Sequence, residues 1–304
     1  MSKFRAGWIC ACCALGVWSN SVPFLKVPLP EPAGMLAEPA LKEASGLTQS
    51  GRVPGRVWSL NDSGHSAVLF AMDAEGRPEA AVRIRGAENQ DWEAVESDPQ
   101  GGLWIGDFGN NLNRRKDLRI YRVEEPGEEI PAELPVTRTL HFRYPDQEDF
   151  PPEIMNFDCE ALFFRDGKLY LLTKHRSDRD TKLYRIEDLE TEEIQTATLL
   201  GQYAWIGQVT DASLTPDGEK LAVLTYSGIW IFNRPADSDD FLRGEGMAWK
   251  FPNWSLKQVE GISWLDAQTL LICNEQRSLF RADLRSEVWK AFSGSDVRSG
   301  DESP

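Results

Sequence analysis

The sequence predicts an all-β chain folded as a β-propeller, and three observations carry that prediction. Four short apolar runs recur as a unit, the unit repeats about every 50 residues, and the segments between runs are turn sequences such as DAEG, DPQG, RDGK and TPDG. Five copies are visible. A sixth, degenerate blade stays open at this stage. Four antiparallel strands per repeat fit a propeller blade better than a solenoid turn.

The first run of each copy holds an acid followed by Ala or Gly. These pairs are Glu43-Ala44, Glu93-Ala94, Glu160-Ala161, Asp211-Ala212 and Glu260-Gly261, with acids spaced by 50, 67, 51 and 49 residues. The second run leads four apolar or small residues into a polar one: Asn61, Asp107, Thr173, Thr225 and Asn274. The third carries an aliphatic-aromatic pair, from Leu69-Phe70 to Leu279-Phe280. The fourth is weaker, as in AAVRIRG, RTLHFRYP, ATLLGQYAW and GMAWKFP. The 67-residue copy contains QEDFPPEIMN, expected as a loop on one face. Residues 22–30 are expected to supply a strand that closes the ring with the last copy.

The chain divides into three parts on this reading. Residues 1–21 read as a signal peptide: Lys3 and Arg5 precede an apolar stretch from Ala6 to Trp18, too short to span a bilayer. Cys12 or Cys13 offers a lipid attachment point instead, and an ordinary apolar N-terminus is the third reading. Residues 22–292 form the propeller, and 293–304 form a polar, disordered tail. An extracytoplasmic monomer, periplasmic or secreted, is expected, without a membrane span. Only Cys159 and Cys273 lie beyond the leader, so neither a disulfide framework nor a zinc site is expected. Both thiols sit in apolar runs and are expected to be buried.

The formal charge is −15. It opposes nucleic acid and anionic membranes as partners, and it suits cations or neutral ligands. No nucleotide-binding glycine loop, Gly-x-Ser-x-Gly elbow or His-Glu-x-x-His run occurs.

The stretch QDWEAVESDPQGGLWIGDFGNN locates the site. It reads as a hairpin whose two ends, Asp91-Glu93 and Asp107-Asn110-Asn111, lie side by side. In a propeller the first strand lines the channel and the second runs back beside it, so every blade brings such ends to one mouth. A pair of unit charges about 6 Å apart costs on the order of 3 kcal/mol at an effective dielectric of about 20. Protonation, basic partners, backbone N–H donors or a bound cation must relieve that. Oxygen donors without cysteine suit Ca²⁺ or Mg²⁺. The candidate cation ligands are Glu43, Glu93, Glu160, Asp211, Glu260, Asn61, Asp107 and Asn274. The bland reading is that the repeated acids tie neighbouring blades together. The same rim carries Asp62, Asn110, Asn111, Arg176 and Arg277 as candidate ligand-binding groups. His65, His175 and Lys174 are the candidate catalytic groups. Trp58, Trp104 and Trp230 are expected between blades, and Trp92 and Trp205 nearer the rim.

The series NDSG, DWE, GDFGNN and EAL with LTK, across residues 40 to 285, resembles a group of bacterial secreted β-propellers similar to the SdiA-regulated type. More distantly it is similar to esterase-like phytases and to the SMP-30/gluconolactonase group. The last resemblance implies a divalent cation at the channel mouth held by Glu, Asn and Asp. It leaves individual ligands open, and five copies stand here against six blades there. Three readings follow. The first is a propeller binding a small molecule or protein at an acidic mouth with a cation. The second is a metal-dependent hydrolase of esters, lactones or phosphoesters, with His65, His175 or a rim carboxylate as base and Lys174 or Arg277 steadying the anion. The third is a metal-free scaffold.

Overall fold

The computed structural model describes residues 27–293 apart from residue 205. The leader expected at 1–21, Trp205 and the tail beyond 293 lie outside the described residues.

Strand β1 is Glu31–Met35. The first blade is β2 (Ala44–Gln49), β3 (Arg56–Asn61), β4 (Val68–Asp73) and β5 (Pro78–Arg85). The second is β6 (Trp92–Ser97), β7 (Gly102–Asp107), β8 (Arg119–Glu124) and β9 (Glu133–Arg143). The third is β10 (Asp158–Arg165), β11 (Lys168–Lys174), β12 (Thr181–Ile186) and β14 (Thr198–Tyr203), with the short β13 (Gln195–Thr196) parallel to β9. The fourth is β15 (Val209–Leu214), β16 (Lys220–Thr225), β17 (Gly228–Asn233) and β18 (Gly246–Lys250). A 3₁₀ turn at Phe241–Arg243 links the last two of these. The fifth is β19 (Val259–Trp264), β20 (Thr269–Asn274) and β21 (Ser278–Asp283). β22 (Lys290–Phe292) adds to the outer edge of the fourth blade.

Each blade is an antiparallel meander, and β1 completes the fifth by pairing with β21. The N-terminal segment thus closes the ring, but through residues 31–35 rather than 22–30. The closing strand begins just past Pro30, and residues 22–26 of the expected segment lie outside the described residues.

Five innermost strands, β2, β6, β10, β15 and β19, contact one another in a closed circle around the channel. Five separate apolar cores match that circle, one between each pair of adjacent blades. The ring is therefore five-bladed. Strands buried on both faces explain why the repeat runs are nearly continuous apolar stretches rather than alternating ones. Trp58, Trp104 and Trp230 lie in these inter-blade cores as expected. Trp92 does too: it is fully buried, and its indole N–H bonds the Glu88 carbonyl. It is a packing residue, not part of the rim. Cys159 and Cys273 are buried free thiols. Among the described residues, no helix is long and apolar enough to cross a membrane.

Candidate functional site

Every inner strand starts at one mouth of the channel, and every second strand ends there. In the second, third and fifth blades the inner strand carries a β-bulge just inside its start. The register skips Glu93, Glu160 and Glu260, leaving each without a cross-strand partner. A bulge re-aims a side chain, and these three carboxylates all line one cavity of about 170 Å³ at the mouth. In the first blade the skipped residue is Gly46, and in the fourth it is Thr210. Gly46 has φ +70, and a Cβ there would stand 3.1 Å from the Ala94 Cα, so a side chain would be strained and crowded against the next blade.

The same cavity receives Asp62, Glu275, Lys174, Arg176, Asn111, Ser45, Gln258 and Tyr226. Lys174 Nζ lies 2.9 Å from Glu160 Oε1 and 5.0 Å from the Tyr226 ring centre. Tyr226 donates its hydroxyl to Glu260 Oε1 at 2.6 Å. Glu260 Oε2 is buried and meets no hydrogen-bond donor among the described residues. Arg176 Nε bonds Asp158 Oδ2 at 2.7 Å, and its other end reaches Asn111. Two groups of carboxylates bring ligand oxygens within 4.8 Å of one another: Asp62, Asp91 and Glu93, and Glu93, Asp158 and Glu160. Glu93 belongs to both. These acidic clusters are able to hold a metal ion.

Burial raises the Glu93 carboxyl well above its usual range, and Glu160, Asp62 and Asp91 add to the effect by repulsion. Asp91 is pushed up to about 7 by burial and then by Asp62 and Asp158. Glu260 is likewise pushed up to about 7 by burial, against the pull of Lys174 and the Tyr226 hydrogen bond. Burial alone would lower Lys174, but Glu160, Glu260, Tyr226 and Glu93 outweigh it and hold the ammonium well above its ordinary value. Lys174 is thus a fixed cation and not a base.

Other expected site residues are placed elsewhere. Asp211 lies deeper in the channel. Its Oδ2 accepts the backbone N–H groups of Leu47 at 3.2 Å and Ile262 at 2.8 Å, and its Oδ1 that of Ala212. It ties the first, fourth and fifth blades together. Asn61 accepts from the backbone of Lys42 and Glu43 and donates to Ala40. Asn274 bonds Ser278 N and the Leu256 carbonyl. Asp107 accepts from Asp91 N and pairs with Arg115 and Arg119. The repeated second-strand residue is a loop staple bonded to neighbouring chain, although Asp107 Oδ2 meets no hydrogen-bond donor among the described residues and lies 3.5 Å from Arg119 Nε. Asn110 is buried and holds the Arg115 backbone rather than facing the cavity. Arg277 reaches the Glu38 carbonyl, outside the cavity lining.

Glu43 is exposed at the rim and pairs with His65 Nε2 at 2.9 Å. His175 is buried, with Nδ1 2.8 Å from Asp178 Oδ1, and burial lowers it to about 4. It is neutral near pH 7. It forms a third possible metal group with Asp178 and Asp180, two residues that line a separate cavity. Of the candidates, Glu93, Glu160, Glu260, Asp62, Asn111, Lys174 and Arg176 meet in one place. Asp158, Glu275 and Tyr226 join them without having been singled out. Each follows or precedes a residue of the repeat by one or two positions: Asp158 opens β10, and Tyr226 and Glu275 come directly after the ends of β16 and β20 at the same mouth.

No family model and no curated protein matches the chain. Among solved structures it is similar to that of a functionally unknown protein from Desulfotomaculum acetoxidans DSM 771. The two are 12% identical, and the match covers 82% of this chain and 71% of that one, with a TM-score of 0.41.

Proposed function

We propose that this five-bladed propeller binds a divalent cation, Ca²⁺ in preference to Mg²⁺, at its channel mouth, and that the cation helps dock a small polar ligand or a protein there. One observation carries the reading: Glu93 is buried and shared by two carboxylate groups whose oxygens lie within 4.8 Å. Two oxygens on one Ca²⁺, each at about 2.4 Å, are at most about 4.8 Å apart. Mg²⁺ demands shorter bonds and near-octahedral order, which carboxylates fixed on rigid bulges match less well. The buried Glu260 Oε2 facing the same cavity supports a cationic occupant. Lys174 and Arg176 offset part of the negative charge, which favours weak, exchangeable binding of the kind suited to an extracytoplasmic, calcium-rich setting.

The test is thermal unfolding in EDTA, then with Ca²⁺ or Mg²⁺ added. A cation at 100 times its Kd stabilises by about 2.7 kcal/mol. The expected result is a rise of a few degrees with Ca²⁺ that Glu93→Gln abolishes. No rise with either cation overturns the reading.

A second reading, a hydrolase of esters, lactones or phosphoesters, is favoured by Glu260. A carboxyl held near 7 with one oxygen facing the cavity suits proton transfer at neutral pH. It predicts turnover of p-nitrophenyl substrates that Glu260→Gln removes. An absence of turnover in Ca²⁺-loaded protein refutes it.

A further inference from the structure

The far end of the channel carries a layer of oxygens set by the repeat. Three places before its staple, each second-strand residue faces an inner-strand residue at the same level. These pairs are Trp58 with Thr48, Trp104 with Glu96, Ala222 with Ser213 and Leu271 with Ser263. One register position thus brings three hydroxyls and one carboxyl to one level. The third blade has Phe163 there, stacked on Tyr170 in the core it shares with the fourth. Glu96 lies four residues along β6 from the acidic mouth, roughly 13 Å deeper at ~3.3 Å per residue.

Thr48, Glu96, Ser213 and Ser263 line one cavity of about 340 Å³, walled by the first, second, fourth and fifth blades. The Glu96 carboxyl bridges its two neighbouring blades. Its Oε2 is 3.3 Å from the Thr48 hydroxyl on the first, and its Oε1 is 3.4 Å from Phe164 N on the third. Both contacts are longer than ordinary hydrogen bonds. Thr48 lines the cavity, so Oε2 lies on the cavity side. Asp211, the other deep channel acid, receives three backbone N–H groups within 3.2 Å. Glu96 has no comparable donor, and a buried carboxyl held this way lacks a counter-ion.

The rest of the lining supplies none. Asp98 is committed to Gln100 N, Gly102 N and the Trp104 indole N–H, each at 2.8 Å. No Lys or Arg lines this cavity among the described residues. A smaller cavity of about 200 Å³ reaches Glu96 from the third-blade side, and Arg165 and Arg234 are among its lining residues. Their charge disfavours a cation on that side. Burial pushes Glu96 up to about 8, and Asp98 adds to the effect against the two long hydrogen bonds.

We propose that the far channel mouth is a second binding site, and that it takes a primary ammonium group, with Glu96 Oε2 as counter-ion and the Thr48, Ser213 and Ser263 hydroxyls as further acceptors. Three N–H donors on one nitrogen match one carboxylate oxygen and two hydroxyl oxygens spaced around a channel. The volume admits a short amine or the amine end of a longer molecule. Binding ionises Glu96, and its proton leaves to solvent as the ammonium enters. The proposal is independent of the cation site at the acidic mouth.

The test is thermal unfolding of the intact chain in EDTA at constant ionic strength, with sodium chloride exchanged for methylammonium or tetramethylammonium chloride. The expected result at pH 7 is a midpoint rise of roughly 3–5 °C with methylammonium at about 100 times its Kd. Tetramethylammonium carries the same charge without an N–H and is expected to match the sodium control. Glu96→Gln is expected to lose the rise, and Glu93→Gln, at the other mouth, to keep it. In the parent, lowering the pH from 7 to 5 should weaken the apparent affinity by roughly two orders of magnitude, because ionising Glu96 then opposes binding. A parent that does not respond to methylammonium overturns the proposal. So does an equal rise with tetramethylammonium, a rise that survives in Glu96→Gln, or an affinity unchanged between pH 5 and 7. A rise lost in Glu93→Gln and kept in Glu96→Gln also overturns it, by placing the amine at the acidic mouth.

Discussion

Replacing Glu96 with Gln should flatten the pH dependence of stability. Glu96 is 7% exposed and lies near the far end of the channel. Its Oε1 accepts a long bond from Phe164 N at 3.4 Å, and its Oε2 one from the Thr48 hydroxyl at 3.3 Å. These bonds are too weak to offset burial, and the carboxyl is pushed from its ordinary 4.5 up to about 8. Each tenfold change in ionisation equals 1.36 kcal/mol, so the folded state resists the charged form by about 5 kcal/mol. The sign follows from linkage. The folded pKa lies above the unfolded one, so stability is greatest at low pH and is lost as pH rises from about 4.5 through about 8. Between pH 5 and pH 7 this one group costs the parent about 2.5 kcal/mol. The substituted glutamine keeps the shape, accepts from Phe164 N and does not titrate. Urea unfolding of parent and Glu96→Gln at pH 5, 7 and 8 measures the difference. The two stability curves should diverge by about 2.5 kcal/mol between pH 5 and 7, with the variant ahead at pH 8. Parallel curves would mean that Glu96 is ionised in the folded protein near neutrality, and the burial argument would fail.

Two further outcomes are expected. Asp211→Ala removes a carboxylate that serves three backbone N–H groups and orphans those of Leu47 and Ile262 on two other blades. It should destabilise by roughly 3–5 kcal/mol, read from chemical denaturation, and a loss under 1 kcal/mol would deny the tie between blades. Calcium affinity should weaken as pH falls from 8 to 6, because Asp91, pushed up to about 7, and Glu93, raised well above its usual range by burial, must lose protons before they bind a cation. A calcium titration followed by calorimetry at several pH values checks this, and a pH-independent Kd would place the cation elsewhere.

Much of the fold was legible because a propeller writes its period into the chain. Strands buried on both faces must be apolar throughout, and the turns between them must bend sharply. The predicted runs therefore coincide with β3, β7, β11, β16 and β20. Ring closure was legible only in kind. The closing strand is Glu31–Met35, and its Pro32 is tolerated because β1 is an edge strand. Trp92 was misplaced because its position beside Asp91 and Glu93 suggested the rim. On a strand, adjacent residues point to opposite sides, and Trp92 faces the core between the first two blades.

The site was less legible because an acid's role depends on one residue of register. Opposite the second-strand staples Asn61, Asp107, Thr173, Thr225 and Asn274 stand Ala44, Trp92, Cys159, Val209 and Val259. The next residue in each inner strand is Ser45, Glu93, Glu160, Thr210 and Glu260. Only three of the five are acids, and of the inner-strand acids only those three line the cavity. Glu43 precedes its staple partner and is left on the exposed rim. Asp211 falls one place beyond Thr210, after the bulge, and turns into the channel where backbone N–H groups converge. The two readings of the repeated acid, cation ligand and blade tie, therefore do not compete across the whole ring. Position fixes which role each acid can take: Asp211 on backbone donors is the tie, and Glu93 among other carboxylates is the group that gains most from a cation. That division makes the comparison of Glu93→Gln with Asp211→Ala decisive, since the first should abolish stabilisation by Ca²⁺ without lowering stability in EDTA, and the second should lower stability whether Ca²⁺ is present or not.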